Sequence, residues 1–288
     1  HNMFSISPST QNRSRKSESG VSIAIRNTMT SFHKEEELVE KIKPSEFIIK
    51  IANTLQEREA VFRLGYQVYL EKGFIKPNAQ EWLIQPYDFD SETVTLIVQD
   101  KEKNIAGSVT LVFNEFLRLP AEKIYGSEIN ALKANGERLM ELSRLMICPN
   151  YRNSKEILLM LFNYLAVYTF RIKKCSSLIV EVNPHHKEFY KALLSFEEIG
   201  EVKACPTVEN APAVLLQLTL NRFQSEVLRC KNQSMTNKKE RSLYTYILKS
   251  EQENLVAYYL QKQATSMSPE EKQYFGFSKS NHGMAVAI

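Results

Sequence analysis

Residues 138–199 constrain the fold more than any other part of this chain. They read as a strand that carries Glu141, a long apolar helix, a second buried strand that ends at Asn183-Pro184, and a short helix that carries Tyr190. A strand, a crossover helix and a second strand in this order form a βαβ unit, in which the two strands are parallel. We therefore expect the Glu141 carboxylate and the Tyr190 hydroxyl to face one cleft.

The size and composition of the chain indicate a soluble globular protein. With 288 residues, 43% of them hydrophobic, the chain can fill a sizeable core. The longest apolar run, Ile157–Phe170, is too short to span a bilayer, so no membrane span is expected. The four cysteines are widely spaced and form no C-x-x-C pair, which predicts no metal site and a reducing, cytoplasmic setting. A net charge of +4 is too mild for a dedicated nucleic-acid binder.

The pattern along the chain predicts four segments. The first is rich in Ser, Asn, Gln and Arg and predicts a flexible arm. The second alternates strands and helices in the order βα, ββ, βα, βα, ββ. The third is charged and helical, and is expected to form a lid or subdomain. The predicted boundaries are 1–35 for the arm, 36–220 for the alternating domain, 221–275 for the helical segment and 276–288 for a tail.

Two motifs in this chain carry a resemblance to a known enzyme superfamily. Glu141-x-Ser143-Arg144 is similar to the fourth strand of acyl-homoserine-lactone autoinducer synthases, and Asn183-Pro-x-x-x-x-Phe189-Tyr190 resembles the general pattern of GNAT acyltransferases. A chain with both is most similar to the long-chain N-acyl amino acid synthases of bacteria. The resemblance covers roughly residues 46–220. It implies an α/β (α+β) protein with the GNAT fold, a mixed, mostly antiparallel central sheet flanked by helices, and an appended C-terminal helical segment.

This resemblance also implies an activity. We expect an N-acyltransferase that moves a long-chain fatty acyl group from an acyl carrier protein thioester to the α-amino group of an amino acid, with tyrosine as a candidate acceptor. No resident cofactor is expected, because the donor substrate is itself an acyl-phosphopantetheine. Three alternatives stay open: an autoinducer synthase that uses S-adenosylmethionine, a GNAT enzyme that uses acyl-coenzyme A, and a catalytically silent GNAT-fold binding protein.

The loop after the Glu141 strand departs from the GNAT pattern. Enzymes of the superfamily that use coenzyme A normally have a glycine-rich loop there, whose backbone N–H groups cradle the diphosphate. Residues Tyr151–Glu156 contain no glycine, and Asn153 with Glu156 predicts a capping box that puts a carboxylate where the diphosphate would lie. A carrier protein presents one phosphate and an acidic surface, so Arg152 and Lys155 are the candidate contacts for it.

Glu141 is the candidate general base. It stands between apolar neighbours on a strand, where an unpaired charge is costly, so the carboxylate needs a cation or a raised pKa. One interpretation is that it removes a proton from the attacking ammonium group, directly or through a water. The other is a structural ion pair with Arg144 or Arg138. Glu181 on the next strand is the reserve candidate.

The remaining catalytic candidates flank Glu141. Ser143 shares its strand face and can hydrogen-bond the thioester carbonyl or the base, or simply fill the strand. Arg144 falls on the opposite face unless a β-bulge re-aims it, and it can orient Glu141, hold a carboxylate or form a scaffold ion pair. The resemblance implies that Tyr190 protonates the departing thiolate, the alternative being a packing role. Asn183 is expected to end its strand and to contact the pantetheine.

Two further sites are expected from apolar content and from the resemblance. The acyl chain needs an apolar slot, which side chains of strands three to five can line. The candidates for this slot are Phe113, Met146 and Phe162. The resemblance places the acceptor against the N-terminal helix and the loop that follows it. The residues there are Arg63, Tyr66, Trp82 and Asp88.

Overall fold

A computed structural model describes residues 46–113, 115–151, 154–206, 210–233 and 242–277 of the chain. The predicted arm at 1–35 and most of the predicted tail lie outside these ranges. The division into an arm, an alternating domain, a helical segment and a tail stays a prediction. No helix in the described part of the chain is both long enough and apolar enough to cross a lipid bilayer.

Eight strands form a single sheet. In chain order they are β1 (Ile48–Ile51), β2 (Val94–Gln99), β3 (Ile105–Val112), β4 (Leu139–Ile147), β5 (Ser177–Val182), β6 (Glu197–Glu198), β7 (Lys203–Cys205) and β8 (Ala211–Thr219). Their order across the sheet is β1-β2-β3-β4-β5-β8-β6, and β7 also pairs with β8. The β4–β5 pair is parallel, and the other described pairs are antiparallel. The predicted mixed, mostly antiparallel sheet is confirmed.

Helices cover both faces of the sheet. They are α1 (Leu55–Glu71), α2 (Glu122–Ala134), α3 (Lys155–Ala166), α4 (Lys187–Leu194), α5 (Leu220–Gln233), α6 (Ser250–Gln263) and α7 (Pro269–Tyr274). Because successive strand residues point to opposite faces, neighbouring residues of β4 enter different clusters. Leu139 packs in the cluster that holds Tyr125 of α2, whereas Met140 packs in the cluster that holds Leu161 of α3 and Phe189 of α4. We call these two sides of the sheet the α2 face and the α3 face.

A β-bulge interrupts β4. In the β3–β4 ladder Thr110 pairs with Ser143, but Ser108 pairs with Met146, so β4 carries one extra residue between these two pairs. Arg144 lies at this point and has a φ of 46°, in the left-handed region. A bulge of this kind interrupts the alternation of side chains between the two faces of the sheet and re-aims the side chain of the extra residue. The bulge that would re-aim Arg144 is therefore present.

The two central parallel strands separate at their C-terminal ends. Residues Leu139–Leu142 of β4 pair with Ser177–Val180 of β5, and the pairing stops there. From Ser143 and Glu181 onwards the strands diverge. This leaves an opening in the middle of the sheet.

The C-terminal helices pack back onto the sheet domain. A 3-10 turn at Leu243–Tyr246 follows α5, and the ring of Tyr244 lies 5.5 Å from that of Phe162 on α3. At the end of α6 the Gln263 side chain accepts a hydrogen bond from the backbone N–H of Ile51 in β1, at 3.0 Å. The segment after the alternating domain thus contacts both α3 and the first strand.

Candidate active site

Glu141 is a buried carboxylate on the α2 face of β4. The residue is 4% exposed, and the backbone N–H of Ala121, at the start of α2, donates to its Oε2 at 3.0 Å. Burial raises the pKa of Glu141 to about 8; the Ala121 N–H opposes this rise, and the Glu181 and Glu122 carboxylates add to it. A carboxyl group with such a pKa can exchange a proton with an amine near neutral pH.

The structural ion pair considered for Glu141 is wrong. Arg144 binds Asp88 instead, and Arg138 pairs with Glu115. The physical reason lies in the backbone: the bulge turns Arg144 toward the loop before β2, and Arg138 stands before the first residue of β4. Within the described residues no cationic side chain forms an ion pair with Glu141. Burial raises the pKa of Glu141 and so favours its uncharged form, and no ion pair neutralises the charged form.

Arg144 is anchored by a carboxylate, although not by that of Glu141. Its guanidinium donates to both carboxylate oxygens of Asp88, one at 2.9 Å, and to Thr110 Oγ1 at 3.1 Å. The Tyr87 ring lies 5.1 Å from the guanidinium carbon. Burial lowers the pKa of Arg144, but the Asp88 carboxylate together with Tyr87 and Tyr69 raises it above its ordinary value. Of the three predicted roles, the structure shows the scaffold ion pair, formed with Asp88. No contact between Arg144 and Glu141 is seen among the described residues, and the holding of a substrate carboxylate stays a prediction.

Ser143 lies beside this pair on the same face as Glu141. Its hydroxyl is 3.0 Å from the Tyr87 hydroxyl, and either group can donate. Burial raises the pKa of Tyr87, so this phenol keeps its proton at neutral pH. Ser143 is the first residue of β4 beyond its pairing with β5. The protonated phenol of Tyr87 and the hydroxyl of Ser143 therefore form a hydrogen-bonded pair at the opening of the sheet.

Tyr190 lies in the apolar cluster of the α3 face. The residue is fully buried, and its ring makes edge contacts with Phe189 at 5.3 Å and Phe196 at 5.4 Å. The hydroxyl has no hydrogen-bond partner among the described residues, and burial raises its pKa. Glu141 points to the α2 face. The expectation that the two groups face one cleft is thus wrong, because α4 packs on the other side of the sheet.

Of the three residues predicted to line an acyl slot, Phe113 and Phe162 belong to the apolar cluster of the α3 face, whereas Met146 lies outside that cluster. Phe113 is 5% exposed and lies under the guanidinium of Arg138, whose carbon is 4.5 Å from the ring centroid. This is the end of β4 that pairs with β5, away from the opening. Phe162 packs against Tyr244, and Met146 is buried on β4. None of the three lines either of the cavities described below, and their role in binding the acyl chain stays a prediction.

The residues predicted to meet the pantetheine and the carrier protein have structural contacts of their own. Asn183 Oδ1 accepts a hydrogen bond from the backbone N–H of His185 at 3.0 Å, which ends β5 as predicted. Lys155 Nζ lies 5.3 Å from the centroid of the Tyr246 ring. Arg152 lies outside the described residues. Contacts of these side chains with a substrate or a carrier protein stay predictions.

The start of α3 differs from the predicted capping box. The N-cap is Ser154, one residue after Asn153, and its hydroxyl accepts from the backbone N–H of Ile157 at 3.4 Å. Asn153 itself is outside the described residues. Serine competes as a cap because its short side chain reaches the same N–H groups. Glu156 still stands in the first turn of the helix, so the predicted negative charge is present there.

A cavity of about 240 Å³ opens on the α2 face beside β5. Glu181 lines it, and Lys123 lines it from α2. Burial raises the pKa of Glu181, and a hydrogen bond from Cys205 opposes this rise. The other lining residues are Pro120, Ile124, Ala204, Cys205 and Pro206. We call this space the acidic cavity.

Three hydrogen bonds hold together the segments that carry the walls of the acidic cavity. The Tyr125 hydroxyl on α2 donates toward the backbone carbonyls of Glu201, at 2.6 Å, and Ala213, at 2.8 Å. One turn further along α2, Glu128 accepts from Lys203 of β7 at 2.8 Å. These bonds join α2 to β7 and β8 beside the cavity.

A second cavity, of about 30 Å³, lies between α1 and the C-terminal segment. Arg58 and Phe62 of α1 line it, together with Asp88 and residues 265–267. Arg58 donates to Glu271 at 2.7 Å and to the Thr265 carbonyl at 2.7 Å. The space is about that of one water molecule. We call it the α1 cavity.

Sequence reasoning missed several parts of this site. The Ala121 N–H that binds Glu141 is a backbone group, which no side-chain motif reveals. Tyr87 and Lys123 were also missed, because both lie outside the matched motifs. A tyrosine immediately before Asp88, a residue that the resemblance singled out, is the one signal that could have pointed to Tyr87.

Comparison with protein families gives one match. The family model described as N-acyl amino acid synthase FeeM matches residues 60–219, which is more than half of the chain. This range contains every catalytic candidate named above. No curated protein sequence matches the chain.

Comparison with solved structures gives similar folds. FeeM, an N-acyl amino acid synthase from uncultured soil microbes, is 23% identical, with a TM-score of 0.55 over 62% of this chain and 94% of that one. The acyl-homoserine lactone synthase LasI is 18% identical, with a TM-score of 0.48 over 62% and 91%. BjaI, a coenzyme A-dependent acyl-homoserine lactone synthase, is 17% identical, with a TM-score of 0.48 over 64% and 89%.

Proposed function

The chain belongs to the N-acyl amino acid synthase FeeM family, and from this membership we propose that it transfers a long-chain fatty acyl group from acyl carrier protein to the α-amino group of an amino acid. The enzyme is an acyltransferase. Tyrosine is the first acceptor to test. The products are an N-acyl amino acid and a carrier protein with a free thiol.

The observation that carries this proposal is the state of the Glu141 carboxyl group. An amino acid attacks a thioester only after its ammonium group loses a proton. Burial raises the pKa of Glu141 to about 8, well above that of an ordinary carboxyl group and nearer to that of the ammonium group it must deprotonate. A base matched in this way accepts the proton at little cost near neutral pH. The freed nitrogen then attacks the carbonyl carbon, and the carbon–sulfur bond breaks.

We propose that Ser143 acts on the thioester carbonyl. Ser143 lies where the pairing of β4 with β5 ends, and its hydroxyl is hydrogen-bonded to the hydroxyl of the protonated Tyr87. Negative charge develops on the carbonyl oxygen as the amine attacks. A fixed hydroxyl donor at that oxygen stabilises the transition state more than the ground state. We assign this role to Ser143, with Tyr87 and Arg144 holding it in place.

Tyr190 remains the proposed proton donor for the thiolate. Its hydroxyl stays protonated because of burial and has no competing acceptor in the described structure. A thioester arm that enters between the diverging ends of β4 and β5 passes from one face of the sheet toward the other. The base and the acid would then act from opposite faces, with the reacting carbon between them.

Carrier protein is favoured over coenzyme A as the donor by the start of α3. The first turn already has a serine cap on the Ile157 N–H and an exposed carboxylate at Glu156, and both features weaken the binding of a diphosphate. The Lys155 side chain adds a positive charge beside them. Arg152 and Lys155 are the proposed contacts for the acidic surface of the carrier.

A donor and acceptor matrix tests this function. The protein is incubated with one acyl chain carried on acyl carrier protein or on coenzyme A, together with each amino acid or S-adenosylmethionine, and products are identified by mass spectrometry. We expect an N-acyl amino acid from the carrier protein thioester. A lactone from S-adenosylmethionine would favour the autoinducer-synthase alternative, and equal rates with coenzyme A would overturn the choice of donor. Absence of every acyl product would overturn the proposed function.

A further inference from the structure

On the side of the protein where the resemblance places the acceptor, the C-terminal segment packs against α1 and the loop that follows it. Phe275, beyond α7, makes ring contacts with Phe62 at 5.0 Å and with Trp82 at 5.2 Å. The α1 cavity beneath this segment holds about 30 Å³, too little for an amino acid. Asp88, which lines it, is engaged by Arg144. The acceptor therefore needs another approach to Glu141.

The acidic cavity offers that approach. Glu141 pairs with Ile179, and Glu181 lies two residues further along β5 on the same face, so the two backbones are roughly 8 Å apart. Pro120, which lines the cavity, directly precedes Ala121, the residue that donates to the Glu141 carboxylate. Glu181 is also the first residue of β5 beyond the pairing with β4. The cavity thus adjoins both the base and the opening for the donor.

We propose that the acidic cavity binds the acceptor amino acid, with its ammonium group against Glu181 beside Glu141 and its carboxylate at Lys123. This proposal rests on the proposed function and extends it. The lining contains both charges that a free amino acid requires, a carboxylate for the ammonium and an ammonium for the carboxylate. The volume of about 240 Å³ lies below the roughly 300–1,000 Å³ of sites for drug-sized ligands, which suits a single amino acid.

Electrostatics favour a cation at this place. Glu141 and Glu181 are neighbouring carboxylates, and within the described residues neither forms an ion pair with a cationic side chain. Two such groups repel each other when both are ionised, and this repulsion is one cause of the raised pKa of Glu141. A bound ammonium group offsets the repulsion and favours the ionised carboxylate that the base requires. Binding then holds the ammonium within reach of the base. Glu141 takes one of its protons, and the nitrogen forms its new bond to the acyl carbon.

Two variants test the proposal, each with a matched control. Glu181→Gln removes the charge for the ammonium, and Lys123→Gln removes the charge for the carboxylate. The controls are Glu188→Gln on α4 and Lys76→Gln after α1, both at exposed positions. The assay uses L-tyrosine, or the acceptor that gives product in the matrix above, and the amine that lacks its carboxylate, tyramine for tyrosine.

We expect each variant to raise the KM for the amino acid about tenfold and to leave the KM for the acyl donor unchanged. Lys123→Gln should not affect the decarboxylated amine, whereas Glu181→Gln should weaken it as well. Because the side chain of Lys123 is exposed, Lys123→Gln should fold normally. This variant therefore tests the proposal even if Glu181→Gln does not fold. An unchanged KM for the amino acid in an active Lys123→Gln enzyme would overturn the proposal while leaving the proposed function intact. If the wild type makes no product, calorimetric titration of the same amino acid decides, and no binding overturns it.

Discussion

Arg144 and Asp88 form a buried, bidentate ion pair across 56 residues of sequence. Each side chain is 3% exposed, so each charged group has lost its contact with water and is bound by the other instead. Since Asp88 belongs to the turn at Pro86–Phe89 and Arg144 to the bulge of β4, this pair fixes the turn against the strand. Tyr87, and through it Ser143, owe their position to it.

Removing one member of this pair should destabilise the fold. Asp88→Asn leaves the Arg144 charge buried without its counter-ion, which costs about 3–5 kcal/mol of unfolding free energy. Urea unfolding measures the change. The control is Glu59→Gln, which breaks the exposed Arg63–Glu59 pair, worth at most about 1 kcal/mol. Equal losses in the two variants would contradict the assigned role of Asp88.

Glu141→Gln should change the pH dependence of stability. In the unfolded chain this carboxyl titrates near its ordinary pKa of 4.5, and in the folded protein near 8. As pH rises, the unfolded state loses its proton first, so the wild type loses stability between about pH 4.5 and pH 8. Glutamine does not titrate, and the variant should gain roughly 4 kcal/mol relative to wild type across this window.

Unfolding in urea at pH 5 and pH 8 provides the measurement. Glu188→Gln, at an exposed position on α4, is the control and should follow the wild type at both values. A stability difference between Glu141→Gln and wild type that does not change with pH would show that Glu141 titrates normally in the folded protein.

The same substitution should remove the base. We expect kcat/KM of the wild type to rise with pH up to an apparent pKa of about 8, because Glu141 must be ionised to accept a proton. Glu141→Gln should lower kcat by roughly 10²-fold or more and abolish this rise. A pH–rate profile of both enzymes is the measurement. A variant that keeps the wild-type profile would assign the proton transfer to another group.

Tyr190→Phe separates a catalytic hydroxyl from a packing residue. The hydroxyl is buried without a partner, so its removal should leave stability unchanged or raise it by about 1–3 kcal/mol. If Tyr190 protonates the thiolate, kcat should fall by about 10²-fold in the same variant. Thermal unfolding and steady-state kinetics on one preparation measure both. A variant with unchanged kcat would leave Tyr190 with packing alone.

The contact between the C-terminal segment and α1 should contribute to stability. Phe275 is 5% exposed, and Phe275→Ala should cost about 3–5 kcal/mol because the space it leaves lies between the rings of Phe62 and Trp82. The neighbouring Tyr274, which is 49% exposed, is the control, and its replacement by Ala should cost about 1 kcal/mol or less. Urea unfolding of the two variants compares them, and similar small losses would show that the segment is loosely attached.

The sheet was predictable because its signals are local. The alternation of apolar residues in β4 and β5, with an apolar helix between them, determines a parallel pair. The position of Glu141 on a buried strand follows from the same pattern. Ser143 on its face follows from the period of two.

The partners of these residues were not predictable in the same way. Arg144 meets Asp88 only because a bulge rotates it, and the bulge arises from how β3 and β4 pair rather than from either strand alone. Tyr190 lies on the other face because α4 packs there. The packing of α4 is set by tertiary contacts, which a Phe-Tyr dipeptide does not predict. The acidic cavity combines residues from α2, β5 and β7, which are distant in sequence.

Tyr125 gives the acidic cavity a further property. Its hydroxyl bonds to the carbonyls of Glu201 and Ala213, together with the Lys203–Glu128 bond, fix the spacing of the cavity walls before any molecule enters. Walls that are already ordered lose little conformational entropy when a guest arrives, so most of the ordering cost falls on the guest. Such a cavity should discriminate by size, admitting small amino acids or flat rings and excluding bulkier molecules rather than adapting to them.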